Sequence, residues 1–234
     1  MSPILQHPLS RPLSRPLLPP FSPAAACALA LAVASFALSS AGVAPAQAAT
    51  IIDDWAGVKP PPAPVPAEAK VDPKTTALLV LDIVRQTCNA ERRPRCLLTL
   101  PAIHGLIERA HVAGMMVGHS VIGGGAADDI LPEAAAREGE PLVAASADKF
   151  LDTDLDQTLK AHGIKTVIIL GVAAQGAVLI TATEAALRGY EVVVPVDGVS
   201  SDQPFAEQYV AWHVMNAPGI AGHAVLSRTD LIRF

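Results

Sequence analysis

The amino-acid sequence predicts an α/β fold of three layers (αβα), with a doubly wound, mainly parallel sheet of about six strands between two layers of helix. Three observations predict it. Short apolar runs alternate with helix-length segments, as in residues 76–84 followed by 101–113, and 166–173 followed by 174–187. The runs TALLVLDIV and TVIILG are continuous rather than alternating, which is the pattern of strands covered on both faces. Aromatic residues make up only 4 % of the chain while Ala and Val are plentiful, which suits helices packed closely on a parallel sheet.

Ahead of that pattern, Arg11 and Arg15 precede an apolar run at 24–44, and Ala46-Gln47-Ala48 is a small-x-small cleavage site. Residues 1–48 are therefore expected to be a signal peptide, and the protein to be exported, periplasmic or extracellular. The run contains serines and is short for a span, so no stable membrane insertion is expected after cleavage. Removing it leaves 15 basic against 22 acidic residues, net −7, which offers no attraction to nucleic acid. A Pro-rich arm is expected over 49–71, because KPPPAPVPAEAK holds neither helix nor central strand. Trp55 is expected to pack that arm onto a single domain at 72–234.

Within the domain, residues 76–84 form the first strand, interrupted only by Asp82 near its carboxyl end. A charge in such a run is costly unless partnered or functional, so Asp82 is a candidate site residue, with loop capping as the alternative. Ile103, Leu106, Ile107 and Ala110 fall on one helical face over 101–113, with Gly114 as the stop. His104 and His111 lie about 10 Å apart along that helix, too far to share a metal, and read as boundary residues. The next strand, 115–122, carries His119 toward its carboxyl end; ligand contact and a hydrogen-bonded structural role both stay open.

Gly123 to Glu140 reads as a mobile loop and candidate lid, with Asp128 and Asp129 as a solvated tip. No Gly-Lys-Ser/Thr follows the glycines and no metal-ligand spacing accompanies the acids, so neither a cofactor nor a metal is expected. A short strand at 141–145 precedes a helix opened by a capping box of Thr153 and Asp156 and ended by Gly163. Strand 166–173, helix 174–187 and strand 191–196 follow. Ser201-Asp202-Gln203-Pro204 opens a last helix on which Phe205, Tyr209 and Trp212 share a face, as core or interface. Residues 224–227 close the sheet.

Outside the leader, two cysteines remain, Cys88 and Cys96, eight positions apart in QTCNAERRPRC. In an oxidising compartment a close pair across a polar loop is expected to form a disulfide. The alternative is that Cys88, just beyond Asp82, is a free nucleophile.

Residues 166–189 bring a strand through a small-residue turn into a helix, which aims N–H groups of about Gln175, Gly176 and Ala177 into the crevice at the strand's carboxyl end. The run GVAAQGAVLITA, 171–182, resembles the isochorismatase-like cysteine hydrolases, whose turn reads roughly G-x-x-T/S-x-x-C-V-x-x-T-A. TALLVLDIV at 76–84, KFLDTDLDQTLKAHGIKTVIILG at 149–171 and RGYEVVVPVDGVSS at 188–201 resemble further family segments in the same order. The resemblance implies a cysteine nucleophile at the helix start, an aspartate base after the first strand and a lysine between them in sequence. Asp82 matches the aspartate. Lys149 lies later than the family's lysine, and either reaches the same space or is a surface lysine. Ala177 occupies the cysteine position.

The leader pattern and the departure at Ala177 together lead to the expectation of an exported isochorismatase-like protein without thiol-dependent amidohydrolase activity, binding a small carboxylate or amide through His119, Gln175, Gly176 and Ala177. Two alternatives stay open. One is a hydrolase that uses water with Asp82 as general acid or base; the other is a structural or interaction module, in which the arm and last helix carry contacts. Family members commonly form oligomers, which makes a homo-oligomer one use of the Phe205 face.

Overall fold

A computed structural model of the chain describes residues 48–234; the expected signal peptide up to residue 47, with Cys27, lies outside the described residues. The chain divides into two compact units, at Val58–Lys59. In the first, residues 48–58 form a turn in which the Thr50 N–H and hydroxyl both donate to Asp53 Oδ2 at 2.8 Å, and Trp55 is exposed.

The second unit, residues 59–234, carries the fold. Its elements in order are β1 (Ala69–Lys70), β2 (Thr76–Leu81), α1 (Pro94–Val112), β3 (Met116–Val121), β4 (Leu142–Ala144), α2 (Leu155–Ala161), β5 (Thr166–Gly171), α3 (Leu179–Leu187), β6 (Glu191–Pro195), α4 (Pro204–Asn216), β7 (Ala224–Ser227) and β8 (Ile232–Arg233). Six strands form one parallel sheet in the order β4-β3-β2-β5-β6-β7, while β1 and β8 pair separately. The end of the Pro-rich arm runs extended into β1, and the Ala67 N–H donates to Leu226 O at 2.8 Å just before that strand begins.

Every residue of β2 is buried, because it lies between β3 and β5 with helices over both faces, and this is why its sequence is a continuous apolar run. The chain winds from β2 outward through β3 to β4, then returns to lay β5, β6 and β7 on the other side. Right-handed crossovers then place α1 on one face and α2, α3 and α4 on the other. The reversal falls between β2 and β5, where Leu81 and Gly171 are in register. That switch point leaves an opening at the carboxyl ends of two central strands. The core is built from Leu78, Leu79, Leu81, Ile168, Ile169 and Leu170, packed by Ile103 and Leu106 of α1 and Leu159 of α2.

Four local expectations are corrected. Helix α1 begins at Pro94 rather than residue 101, so Pro101 lies inside it; Pro94 at the first helical position lacks only an N–H that would have no partner. The 123–140 loop is tied down rather than loose: Leu131 N–H donates to Ile83 O, Arg85 N–H to Asp129 O, and Ile130 and Ala134 are buried. No capping box opens α2. Thr153 Oγ1 instead donates to Lys149 O at 2.6 Å, and Asp156 accepts from Lys160 and Tyr190. Finally, α4 buries Ala206, Val210 and Val214, so Phe205, Tyr209 and Trp212 stand exposed and are not core. Small residues four apart let this helix approach β7 closely.

Candidate functional site

The site grows from the ends of β2 and β5. As the chain leaves Leu81, Asp82 adopts φ 54, a left-handed conformation that costs a non-glycine residue on the order of 1 kcal/mol and is held here by its surroundings. Ser120, at the end of neighbouring β3, holds it from both sides: its hydroxyl donates to Asp82 Oδ1 at 2.7 Å and lies 3.2 Å from the Asp82 N–H. The Thr87 hydroxyl donates to the Asp82 carbonyl. Asp82 is only 6 % exposed.

Lys149 supplies the opposite charge. It is wholly buried, with Nζ 2.8 Å from Asp82 Oδ2 and donating to Ala145 O at 3.0 Å, so it is not a surface lysine. Thr181 of α3 and Thr153 fix the adjoining backbone, the first through the Lys149 N–H at 3.4 Å and the second through its carbonyl. Each charge removes the other's need for water, which is what makes a buried ion tolerable.

Gly171 closes β5 with φ 122, and an added Cβ would lie 2.0 Å from Leu81 O, so only glycine fits between the two strand ends. The Val172–Ala173 peptide is cis. Beyond it the expected α-helical start is absent: residues Ala174–Val178 form a π-type turn and α3 begins at Leu179. The break falls at Gly176, whose φ −107 and ψ −105 are non-helical. Its N–H donates to Ala173 O at 3.0 Å, so that one of the three expected crevice donors is already used. Ala177 is 4 % exposed within this turn. The Gln175 side chain turns to the mouth of the site, where its Oε1 accepts from Ser201 Oγ at 2.7 Å. Asp202 Oδ1 lies 2.8 Å from the same hydroxyl and shares its single proton; with the Asp202 N–H and Gln175, that bond holds the Asp202 carboxyl below its ordinary pKa.

His119 is not brought to Asp82. Successive strand residues face opposite sides, and Ser120 is the one turned to Asp82. His119 Nε2 instead pairs with Glu140 Oε2 at 2.9 Å, while His111 Nε2 takes Glu140 Oε1 at 2.6 Å. Both imidazoles are buried, which corrects the boundary reading of His111. Burial pushes the His119 pKa down, against the attraction and hydrogen bond of Glu140. For Glu140, burial acts upward, but the Arg137 N–H and both histidines outweigh it and hold its pKa below the ordinary value. A hollow of about 400 Å³, lined in part by Lys74, Met116, Glu140 and His162, lies at the amino-terminal edge of the strands, away from the switch point.

Cys88 and Cys96 are joined as a disulfide with Cα atoms 5.4 Å apart, which removes the reading of Cys88 as a free thiol nucleophile. The loop it closes contains Arg93, a residue that sequence reasoning missed. Arg93 is 9 % exposed and acted on electrostatically by Asp82 and Asp202. Its one available signal was position, within the Cys88–Cys96 loop and directly before a helix-opening proline. Among the described residues, no group of three or more His, Cys, Asp or Glu is placed to hold a metal ion, and no helix is long and apolar enough to cross a membrane.

Residues 76–227 match the family model described as the isochorismatase domain. Among solved structures, the chain is similar to an isochorismatase family protein from Desulfovibrio vulgaris subsp. vulgaris str. Hildenborough, with 22 % identity over 67 % of this chain and 95 % of that one and a TM-score of 0.60. N-carbamoylsarcosine amidase from Thermoplasma acidophilum aligns at 23 % identity over 67 % of this chain and 97 % of its own, TM-score 0.58. The nicotinamidase SaPncA from Staphylococcus aureus aligns at 22 % identity over 64 % and 96 %, TM-score 0.57. At these identities the likeness is one of fold. Comparison with curated proteins gives no match.

Proposed function

Because the chain belongs to the isochorismatase family, we propose that its site binds a small carboxylate or amide without performing thiol-dependent amide hydrolysis. The observation that carries this reading is Ala177. Where the family motif places a cysteine at the turn after the fifth strand, this chain presents a methyl group, which can neither attack a carbonyl nor form a thioester. The surrounding parts are kept. Asp82 has both carboxylate oxygens engaged, by Ser120 and Lys149, which orients it toward the opening between β2 and β5. Gly176 adds no side chain to obstruct a ligand. The amidase and nicotinamidase among the similar structures act on compounds of this size and class, as their names state.

We also propose that the protein works after export. The Cys88–Cys96 disulfide supports an oxidising compartment, in keeping with the leader pattern of residues 1–48. Protein recovered from outside the cytoplasm should begin near Ala49 or Thr50; a retained leader would contradict this.

The test of function is hydrolysis of isochorismate, nicotinamide and carbamoyl amides by the purified protein beside Asp82→Ala. The expected result is no turnover in either, with saturable binding of small acids or amides that Ala177→Glu abolishes by filling the turn. Turnover that disappears in the Asp82 variant would replace the binding reading with a water-using hydrolase.

A further inference from the structure

Arg93 is a largely buried arginine whose Nε–H points into the protein without a partner. Of its five N–H donors, one is placed: Nη1 donates to Thr87 O at 3.1 Å. Nε is buried with no partner, and among the described residues no Asp or Glu comes within the 4.0 Å of an ion pair. A buried donor left without a partner carries a desolvation cost of about 1–3 kcal/mol, so an acceptor missing beside Nε is the simplest account of it.

The residue is also held firmly. Its N–H donates to Asn89 O at 2.9 Å, the disulfide of Cys88 and Cys96 closes the loop around it, and Pro94 opens α1 at the next position. Thr87 connects it to the site directly, accepting from Arg93 through its carbonyl and donating to the Asp82 carbonyl through its hydroxyl. Burial, and Arg92 nearby, press the Arg93 pKa below its ordinary value, while Asp202 and Asp82 oppose that. The guanidinium thus lies within electrostatic reach of Asp82 and of Asp202 at the mouth, yet is bonded to neither.

We propose that Arg93 is the anion-recognising residue of this site and takes the carboxylate of a small organic acid. This rests on the ligand-binding reading above and narrows it from carboxylate or amide to carboxylate. A planar two-oxygen anion satisfies a guanidinium edge with charge-assisted bonds that a neutral amide cannot match.

Acetate and acetamide are a matched pair small enough for a site whose Asp82 and Ala177 are nearly closed to solvent. Each is titrated into the purified protein while the ¹⁵N–¹H signal of the Arg93 Nε–H is followed, and affinities are then compared in R93Q and R93K, with thermal unfolding as the check on folding. The expected result is a saturable shift with acetate and none with acetamide. Acetate affinity should fall about ten-fold or more in R93Q, and less in R93K, which keeps the charge without the fork. Equal shifts with the two probes, no shift with either, or wild-type acetate affinity in R93Q overturns the assignment. Should R93Q fail to fold, the Nε shift and R93K decide it, and R93K binding acetate as well as wild type overturns it. A177E separates the two readings. Acetate binding lost in A177E but kept in R93Q leaves the site reading standing and removes Arg93. Binding lost in R93Q but kept in A177E does the reverse.

Discussion

Lys149 Nζ lies 2.8 Å from Asp82 Oδ2, with side-chain exposures of 0 % and 8 %. These two residues come from opposite sides of β3 and β4 in sequence, and the pair therefore fastens the end of β2 to the segment that follows β4. Removing one partner strands the other. Asp82→Asn is expected to destabilise the protein by about 3–5 kcal/mol, read from urea denaturation midpoints. The double variant Asp82→Leu with Lys149→Met should lie closer to wild type than either single change. A loss below about 1 kcal/mol in Asp82→Asn would show that the pair is not coupled.

Gly171 should be the least replaceable residue of the turn. An alanine Cβ would sit 2.0 Å from the Leu81 carbonyl oxygen, at a φ of 122 that side chains rarely adopt. Gly171→Ala is expected to cost about 4 kcal/mol or more, or to give insoluble protein. Gly176→Ala, where the nearest atom to the added Cβ is 3.9 Å away, should be far milder. Soluble yield and thermal midpoints of the two variants make the comparison.

Replacing Cys88 and Cys96 together by serine opens the loop between β2 and α1. Because the bond closes a span of eight positions, the expected loss is about 2–3 kcal/mol of stability. Acetate affinity should weaken as well, since Arg93 lies within that loop. Unchanged stability and affinity would mean that the rest of the structure already fixes the loop.

The His111–Glu140–His119 group gives a pH dependence of definite sign. With its folded pKa lowered, His119 takes up a proton more readily in the unfolded chain, so its contribution to stability is full above about pH 6.5 and is lost as the pH falls toward its folded value. Glu140, also lowered, loses its contribution only below its own ordinary value of 4.5. Urea midpoints should therefore drop between pH 7 and 5 in the wild type, with a smaller drop in His119→Phe. Parallel curves would remove His119 as the cause.

Ala177→Cys puts the missing sulfur back at the family position. Residues 49–234 contain no cysteine but the disulfide pair, so in protein made from those residues the new thiol is the single free cysteine. Because this turn follows the end of β5, which is in register with the end of β2 where Asp82 holds Lys149, the thiol is expected to react with iodoacetamide with a midpoint below the ordinary thiol value of about 8.5. An ordinary midpoint would place the turn's side chain outside the influence of Lys149.

Local pattern was enough for much of this protein. A continuous apolar run identifies a two-faced strand, which is why β2, β5 and β6 were legible, and Asp82 within such a run had to be partnered or functional. The glycine-interrupted turn at 171–177 and the close cysteine pair were legible for the same reason, since each is a feature of neighbouring residues. Lys149 was ambiguous because its partner is supplied by a different strand. His119 and Ser120 are adjacent, and only the pairing register decides which of them turns to Asp82 and which to Glu140. Arg93 was unread because an arginine in a polar loop looks solvated until the disulfide and α1 bury it. The sequence by itself thus determined the layers, the strands and the identity of the residue at the turn. Tertiary structure alone decided which charges are buried and with whom, because desolvation and pairing depend on distances between segments that no local periodicity encodes.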